Sequence, residues 1–117
     1  MAFYLLRFSY TPESWRALIE QPEDRREAIR HALELLGGKF HELWFAFGAH
    51  DAYMLIEADE HTTPAALAAF DVSSGIVHSM ETTVLLTVED MLEALARVKG
   101  LSAEVRPPGS SEAPRPN

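Results

Sequence analysis

The sequence predicts an α+β fold in which a four-stranded antiparallel sheet carries helices on one face only. Its centre is residues 37–59, where two strand-forming segments, residues 39–47 and 52–58, flank a connection that contains glycine and aspartate. One strand-helix pair precedes this hairpin and one helix-strand pair follows it. The element order is therefore βαββαβ, and right-handed crossovers fold that order into the ferredoxin-like arrangement.

The first strand, residues 2–10, indicates that one face of the sheet lacks helices. Tyr4, Leu6 and Phe8 alternate on one apolar face, whereas Arg7 and Ser9 lie on the opposite, mixed face. A strand of this composition is typical of a sheet that buries one side only. Because the other side still carries large apolar residues, we expect a second copy of the chain to cover it, which gives a dimeric α/β-barrel.

The helices are predicted from their start signals, which combine a hydroxyl or a proline with an acidic residue in the first turn. These signals are Thr11-Pro12-Glu13, Pro22-Glu23, Thr62-Thr63-Pro64 and the capping-box pattern at residues 87–90. From residue 100 the chain holds four of its seven prolines and has little apolar periodicity. We therefore expect a folded domain at residues 1–99, which includes a C-terminal helix, and a flexible tail at residues 100–117.

Composition excludes several classes of protein. The 117 residues suit one domain, and 47% hydrophobic with 24% charged residues is a globular composition. The net charge of −8 argues against a nucleic-acid or anionic-membrane partner, because both need clustered cations. There is no cysteine, hence no disulfide or thiolate site, and no apolar segment of spanning length. We expect a cytoplasmic protein without a cofactor.

The central hairpin resembles the GYD-domain family, small bacterial proteins with the dimeric α/β-barrel form of the ferredoxin-like fold. The resemblance covers roughly residues 2–95 and rests on Leu36-Gly37-Gly38-Lys39, Trp44-Phe45, the signature Gly48-x-x-Asp51 and the strand end Glu57-Ala58. Two features depart from the pattern: His50 stands in place of the signature tyrosine, and the last strand is longer or bulged around residues 78–83. Proteins with the same barrel include cofactor-independent monooxygenases, isomerases, cyclases and ligand sensors, so the resemblance implies no single reaction.

Strand alternation predicts a set of polar and aromatic residues on the open face, a composition typical of a small-molecule pocket. The last strand contributes either Ser79 and Glu81 or His78 and Met80, since its parity is open. The candidate ligand-binding residues are Arg7, Glu42, Trp44, Tyr53, His78 and Glu81. The alternative is that Arg7 pairs with a carboxylate only to satisfy charge at a dimer interface. A one-residue change of register in any strand would move its set to the other face.

Two residues are candidates for proton transfer. Histidine side chains can act as bases near neutral pH, and His50 precedes Asp51, which would orient it. Glu57 is the candidate carboxylate, because a carboxylate pressed against an aromatic ring can serve as an acid or base. The alternative is that Asp51 caps the turn and His50 has no role. A metal set of His41, His50, His78 and Glu81 is conceivable, but no metal-binding spacing supports it, and we predict none.

Three functions remain open from the sequence. The first is a homodimer that binds a small hydrophobic or aromatic molecule, and the second is a cofactor-independent cyclase, isomerase or monooxygenase. The third is a structural or regulatory dimer without a ligand.

Overall fold

The computed structural model of the chain describes residues 1–109. The elements follow in the order β1 (Ala2–Tyr10), α1 (Pro12–Glu20), α2 (Arg26–Leu35), β2 (Gly38–Phe45), β3 (Ala52–Ala58), α3 (Thr62–Ser73), β4 (Val77–Leu85) and α4 (Val88–Glu104). The chain divides into two compact units, Met1–Leu85 and the segment that begins at Leu86. No helix within residues 1–109 is both long enough and apolar enough to cross a bilayer.

The first unit contains the whole sheet. Its strand order is β2-β3-β1-β4, and each neighbouring pair is antiparallel. This order, joined by helical crossovers, is the ferredoxin-like topology that the sequence predicts. The α+β fold is therefore confirmed, although the crossover from β1 to β2 contains two helices, α1 and α2, that Pro22 separates as expected.

The core lies between one face of the sheet and the helices. Tyr4, Leu6 and Phe8 of β1 are buried, as their alternation predicts. They pack with Met54 and Ile56 of β3. The helices and the last strand add Leu33 of α2, Leu67 of α3 and Val77 of β4, which are all buried. Within the first unit the helices pack on this face, and Arg7 and its neighbours lie on the opposite, open side.

Local signals set the element ends. The hydroxyl of Thr11 accepts a hydrogen bond from the Ser14 N–H and begins α1. Gly37, at φ +80°, adopts the left-handed conformation that ends α2 and turns the chain into β2. Thr63 donates its hydroxyl hydrogen bond to the Leu36 carbonyl at 3.0 Å, which fixes the start of α3 against this same turn.

Two β-bulges break the regular register of the sheet. His78 is the extra residue where β4 pairs with the end of β1, since Ser9 pairs with Ser79 but Tyr10 pairs with Val77. This agrees with the irregularity expected near His78. The second bulge, at His41 in β2, was not anticipated.

The prediction that residue 47 belongs to the second strand is wrong. The strand β2 ends at Phe45, and Phe47 lies in the connection with its side chain fully exposed. The Ala46 N–H donates to the Asp51 carbonyl at 2.9 Å, which closes the hairpin before Phe47 can pair.

The second unit contains α4, and this helix runs past residue 100, where we placed the start of the tail. A capping box at Thr87 and Asp90 begins the helix. Leu95, Val98 and Leu101 continue a helical spacing across Gly100, whose helix cost is only about 1 kcal/mol. Of the predicted tail, residues 110–117 lie outside the described part of the chain.

Candidate functional site

A row of side chains crosses the open face of all four strands. Trp44 of β2 pairs with Tyr53 of β3, Tyr53 pairs with Arg7 of β1, and Arg7 pairs with Glu81 of β4. Residues directly opposite each other in antiparallel strands lie on the same face, so these four side chains are neighbours. The register also shows which residues of β4 lie on the open face. Ser79 and Glu81 share the face of Arg7, and Met80 pairs with Phe8 on the core face.

Arg7 is the centre of this row. Its Nη2 donates to the Thr83 hydroxyl at 2.8 Å and lies 3.3 Å from Oε2 of Glu81. Its Nε is buried and has no hydrogen-bond partner among the described residues. A buried donor without a partner costs roughly 1–3 kcal/mol, so a group that accepts a hydrogen bond from the Arg7 Nε would stabilise the protein.

His50 joins the row from the hairpin connection. Its Nε2 lies 3.3 Å from the same Glu81 oxygen that contacts Arg7, and its ring meets Tyr53 edge-on at 6.1 Å. Its Nδ1 is buried and, like the Arg7 Nε, has no partner within the part of the chain that the structure describes. Glu81 therefore bridges an arginine and a histidine that are 43 positions apart in sequence.

Asp51 does not orient His50. Its carboxylate Oδ2 accepts from the Tyr10 N–H at 3.0 Å and from the Trp15 indole N–H at 3.2 Å. Its own backbone N–H donates to the Phe8 carbonyl at 3.0 Å. Asp51 thus joins the hairpin to β1 and α1. Its role is structural, as in the alternative that Asp51 caps the turn, but its bonds reach beyond the turn to Tyr10 and Trp15.

Three candidate residues lie apart from the Arg7 contacts. Glu57 lies opposite Phe3 near the end of β3, and its Oε1 forms a hydrogen bond with Nε2 of His41 at 2.7 Å. Glu42 lies opposite Leu55 on the open face, where its side chain is exposed. His78 is exposed at the bulge of β4.

No metal set is assembled within residues 1–109. Of the four candidate ligands, His50 contacts Glu81, whereas His41 contacts Glu57, which is outside the candidate set. No group of three or more histidine, aspartate or glutamate residues in this described range is arranged to hold an ion.

A cavity of about 280 Å³ lies on the other side of the sheet, between β1, α2 and α3, and its polar residues were not predicted. The walls are mainly apolar, and Tyr10, Arg25 and Asp71 supply the polar groups. Burial raises the pKa of the Asp71 carboxyl to about 6, although the positive charge of Arg25 acts against this shift. Burial also raises the pKa of Tyr10.

The position of Asp71 on α3 is itself a signal in the sequence. Asp71 is four residues after Leu67, so it lies on the same face of α3 as a side chain that packs in the core. An acidic residue at an inward helical position is unusual and indicates either a partner or a perturbed pKa.

Comparison with known proteins identifies the family. The chain matches the family model described as GYD domain over residues 4–95. A solved structure described as "crystal structure of FFRP-DM1" is similar at a TM-score of 0.48 and 11% sequence identity, over 74% of this chain and 100% of that chain. Among proteins with curated functions, none matches. Because the family model covers most of its length, this chain belongs to the GYD domain family.

Proposed function

We propose that this protein is a homodimer that binds a small aromatic or hydrophobic molecule on the open face of its sheet. The observation that carries the proposal is the pair of buried, unpartnered nitrogen atoms, Arg7 Nε and His50 Nδ1, in one row with two aromatic rings. Polar atoms left in this way within a folded protein call for a water, an ion or a ligand. Tyr53 and Trp44 would supply the apolar walls of such a site.

A second copy of the chain would complete the site. Trp44 is 50% exposed in one protomer, Leu55 lies diagonally next to it on the same face, and Leu5 of the next strand pairs with Leu55. A contiguous apolar surface of this kind is typical of an interface, and ferredoxin-like sheets can pair through their open faces. In the dimer, Arg7 would lie inside a barrel between two sheets.

The charge of the row indicates the class of ligand. Arg7 presents a planar guanidinium, which favours a carboxylate or another planar acceptor, and the neighbouring rings favour an aromatic body. We therefore propose an aromatic acid. Glu42, Glu57 and His78 would border the site rather than contact the acceptor group, because none of them contacts Arg7.

Thermal-shift and calorimetric titration with substituted benzoates and cinnamates test the proposal. Arg7→Lys keeps the charge but removes Nε, and Trp44→Phe removes part of the aromatic wall, so both should weaken binding. Lys39→Ala, on the same face beside Glu57, is the matched control and should leave binding unchanged. Equal affinity in all four proteins would refute the assignment of these residues, and a failure to bind any acid would favour the dimer without a ligand.

A proton-transfer enzyme is the second candidate, and one contact favours it. If His50 donates Nε2–H to Glu81, the lone pair of Nδ1 is free to act as a base, and Glu81 stabilises the imidazolium that forms. Glu57 is less suited to this role, because His41 already occupies its carboxylate.

The enzyme candidate is tested by product analysis on any acid that binds. Turnover should fall strongly in His50→Ala, and the pH profile of turnover should shift in Glu81→Gln. The variant Glu57→Gln should remain active. Turnover that is retained in His50→Ala would remove this candidate without affecting the binding proposal.

A further inference from the structure

We propose that the cavity between the sheet and helices α2 and α3 is a second binding site, for a small apolar molecule whose ammonium group is held by the Asp71 carboxylate. The cavity opens on the helical side of the sheet, and the Arg7 row lies on the opposite face. Phe8, Met54 and Leu67 form its inner wall, and Ala28 lies along α2. The site therefore belongs to one protomer and does not depend on dimerisation.

The size of the cavity limits the ligand. An apolar cavity of about 150 Å³ is sufficient for a benzene molecule. The present cavity is about 280 Å³. It accommodates one aromatic ring or a short branched chain together with a two- or three-atom arm.

The polar end of the cavity contains an acceptor that lacks a donor. Among the described residues, the hydrogen bonds to Asp71 come from Ser74 and Ile76 and go to its backbone carbonyl rather than its carboxylate, on which the positive charge of Arg25 acts. Arg25 is itself held by Glu23, with Nη1 3.5 Å from Oε1. A partly buried carboxylate that receives no hydrogen bond from the described part of the chain favours a ligand that brings a donor.

The surrounding charges favour a cation over an anion. Three carboxylates, those of Asp71, Asp51 and Glu23, act on the buried Tyr10 hydroxyl, against the single guanidinium of Arg25. The negative groups that act on Tyr10 therefore outnumber the positive one, and of these four groups Asp71 and Arg25 line the cavity itself. A ligand ammonium beside Asp71 restores the balance, whereas a ligand carboxylate would add a fourth negative charge.

Calorimetric titration of the full-length protein with three matched probes tests the inference. The probes are 2-phenylethylamine, 2-phenylethanol and 3-phenylpropionate, which share a ring and arm and differ in the charge of the head group. At pH 7.5 the amine should bind most tightly, the alcohol more weakly and the carboxylate least. Preference for the carboxylate, or binding of none of the three, would overturn the proposal.

Variants separate this site from the open face. Asp71→Asn should abolish the preference for the amine over the alcohol, and Ala28→Leu, which extends a side chain over the cavity, should weaken both. Arg7→Lys should leave amine binding unchanged, so failure of the open-face proposal would not affect this result. Amine binding that is equal in Asp71→Asn and wild type would overturn the assignment.

The pH dependence of wild-type binding gives the same answer without any substitution. The groups that face the Asp71 carboxyl are Arg25 and the Tyr10 hydroxyl, with Glu23 behind Arg25. Because the pKa of Asp71 is raised to about 6, only about a tenth of it is ionised at pH 5, and the amine should bind about tenfold more weakly there than at pH 7.5. The alcohol should show no such loss, and an amine affinity that is independent of pH would contradict the proposal.

Discussion

Replacement of Asp71 by asparagine should stabilise the protein at neutral pH. Asparagine has nearly the same shape as aspartate but carries no charge, so it removes the cost of keeping an ionised carboxylate in an apolar cavity. In the folded protein, burial raises the pKa of this carboxyl from 3.8 to about 6. The folded state therefore holds the proton more tightly than the unfolded chain does.

The sign and size of the effect follow from this shift. Well below the unfolded pKa of 3.8 the carboxyl is neutral in both states and costs nothing; the cost grows as the pH rises from about 3.8 to about 6 and is constant above that. Each unit of pKa shift corresponds to about 1.4 kcal/mol. Asp71 is only partly buried, so solvent reduces the effect below the value that the full pKa shift implies. We expect Asp71→Asn to add about 1–2 kcal/mol to the free energy of unfolding at pH 7.5.

Urea unfolding at pH 4 and pH 7.5, at one fixed protein concentration, measures this difference. The advantage of Asp71→Asn over wild type should be small at pH 4, close to the unfolded pKa of 3.8, and fully developed at pH 7.5. Glu34→Gln, an exposed position on α2, makes the same change in net charge and should show no comparable gain. A loss of stability in Asp71→Asn at neutral pH, or a difference that does not vary with pH, would refute the argument.

Two further substitutions test the elements that hold the hairpin and the helix end. Asp51→Ala removes the acceptor for the Tyr10 N–H and the Trp15 indole, and it should cost about 1–3 kcal/mol in urea unfolding, with a smaller loss in Asp51→Asn. A neutral effect of Asp51→Ala would show that these bonds contribute nothing net. Gly37→Ala places a side chain at φ +80° and should cost about 1–2 kcal/mol, whereas Gly48→Ala, without a positive φ, should cost less. Equal losses at both glycines would exclude backbone strain as the cause.

The fold could be predicted because each element carries its own local signal. The alternation of Tyr4, Leu6 and Phe8 identifies the core face of β1, and the hydroxyl at Thr11 identifies the start of α1. These features depend on residues that are close in sequence. The element order and the crossover rule then leave few sheet topologies to consider.

The candidate site could be predicted only in part, because its contacts join distant segments. Alternation placed Arg7 on the open face, but its contact with Glu81 depends on the register of β4, which a bulge at His78 shifts by one residue. The orientation of His50 toward Glu81, and not toward the adjacent Asp51, is likewise a property of the folded hairpin. No local pattern contains this information.

Sedimentation equilibrium at micromolar concentration tests the central claim most directly, since the open-face site needs a second copy of the chain. We predict a particle of twice the chain mass of 13.1 kDa, and we predict that Leu55→Asp, which places a charge on the open face, shifts it to a single chain. A wild-type particle of 13.1 kDa would contradict the dimeric barrel and the ligand site that we place within it.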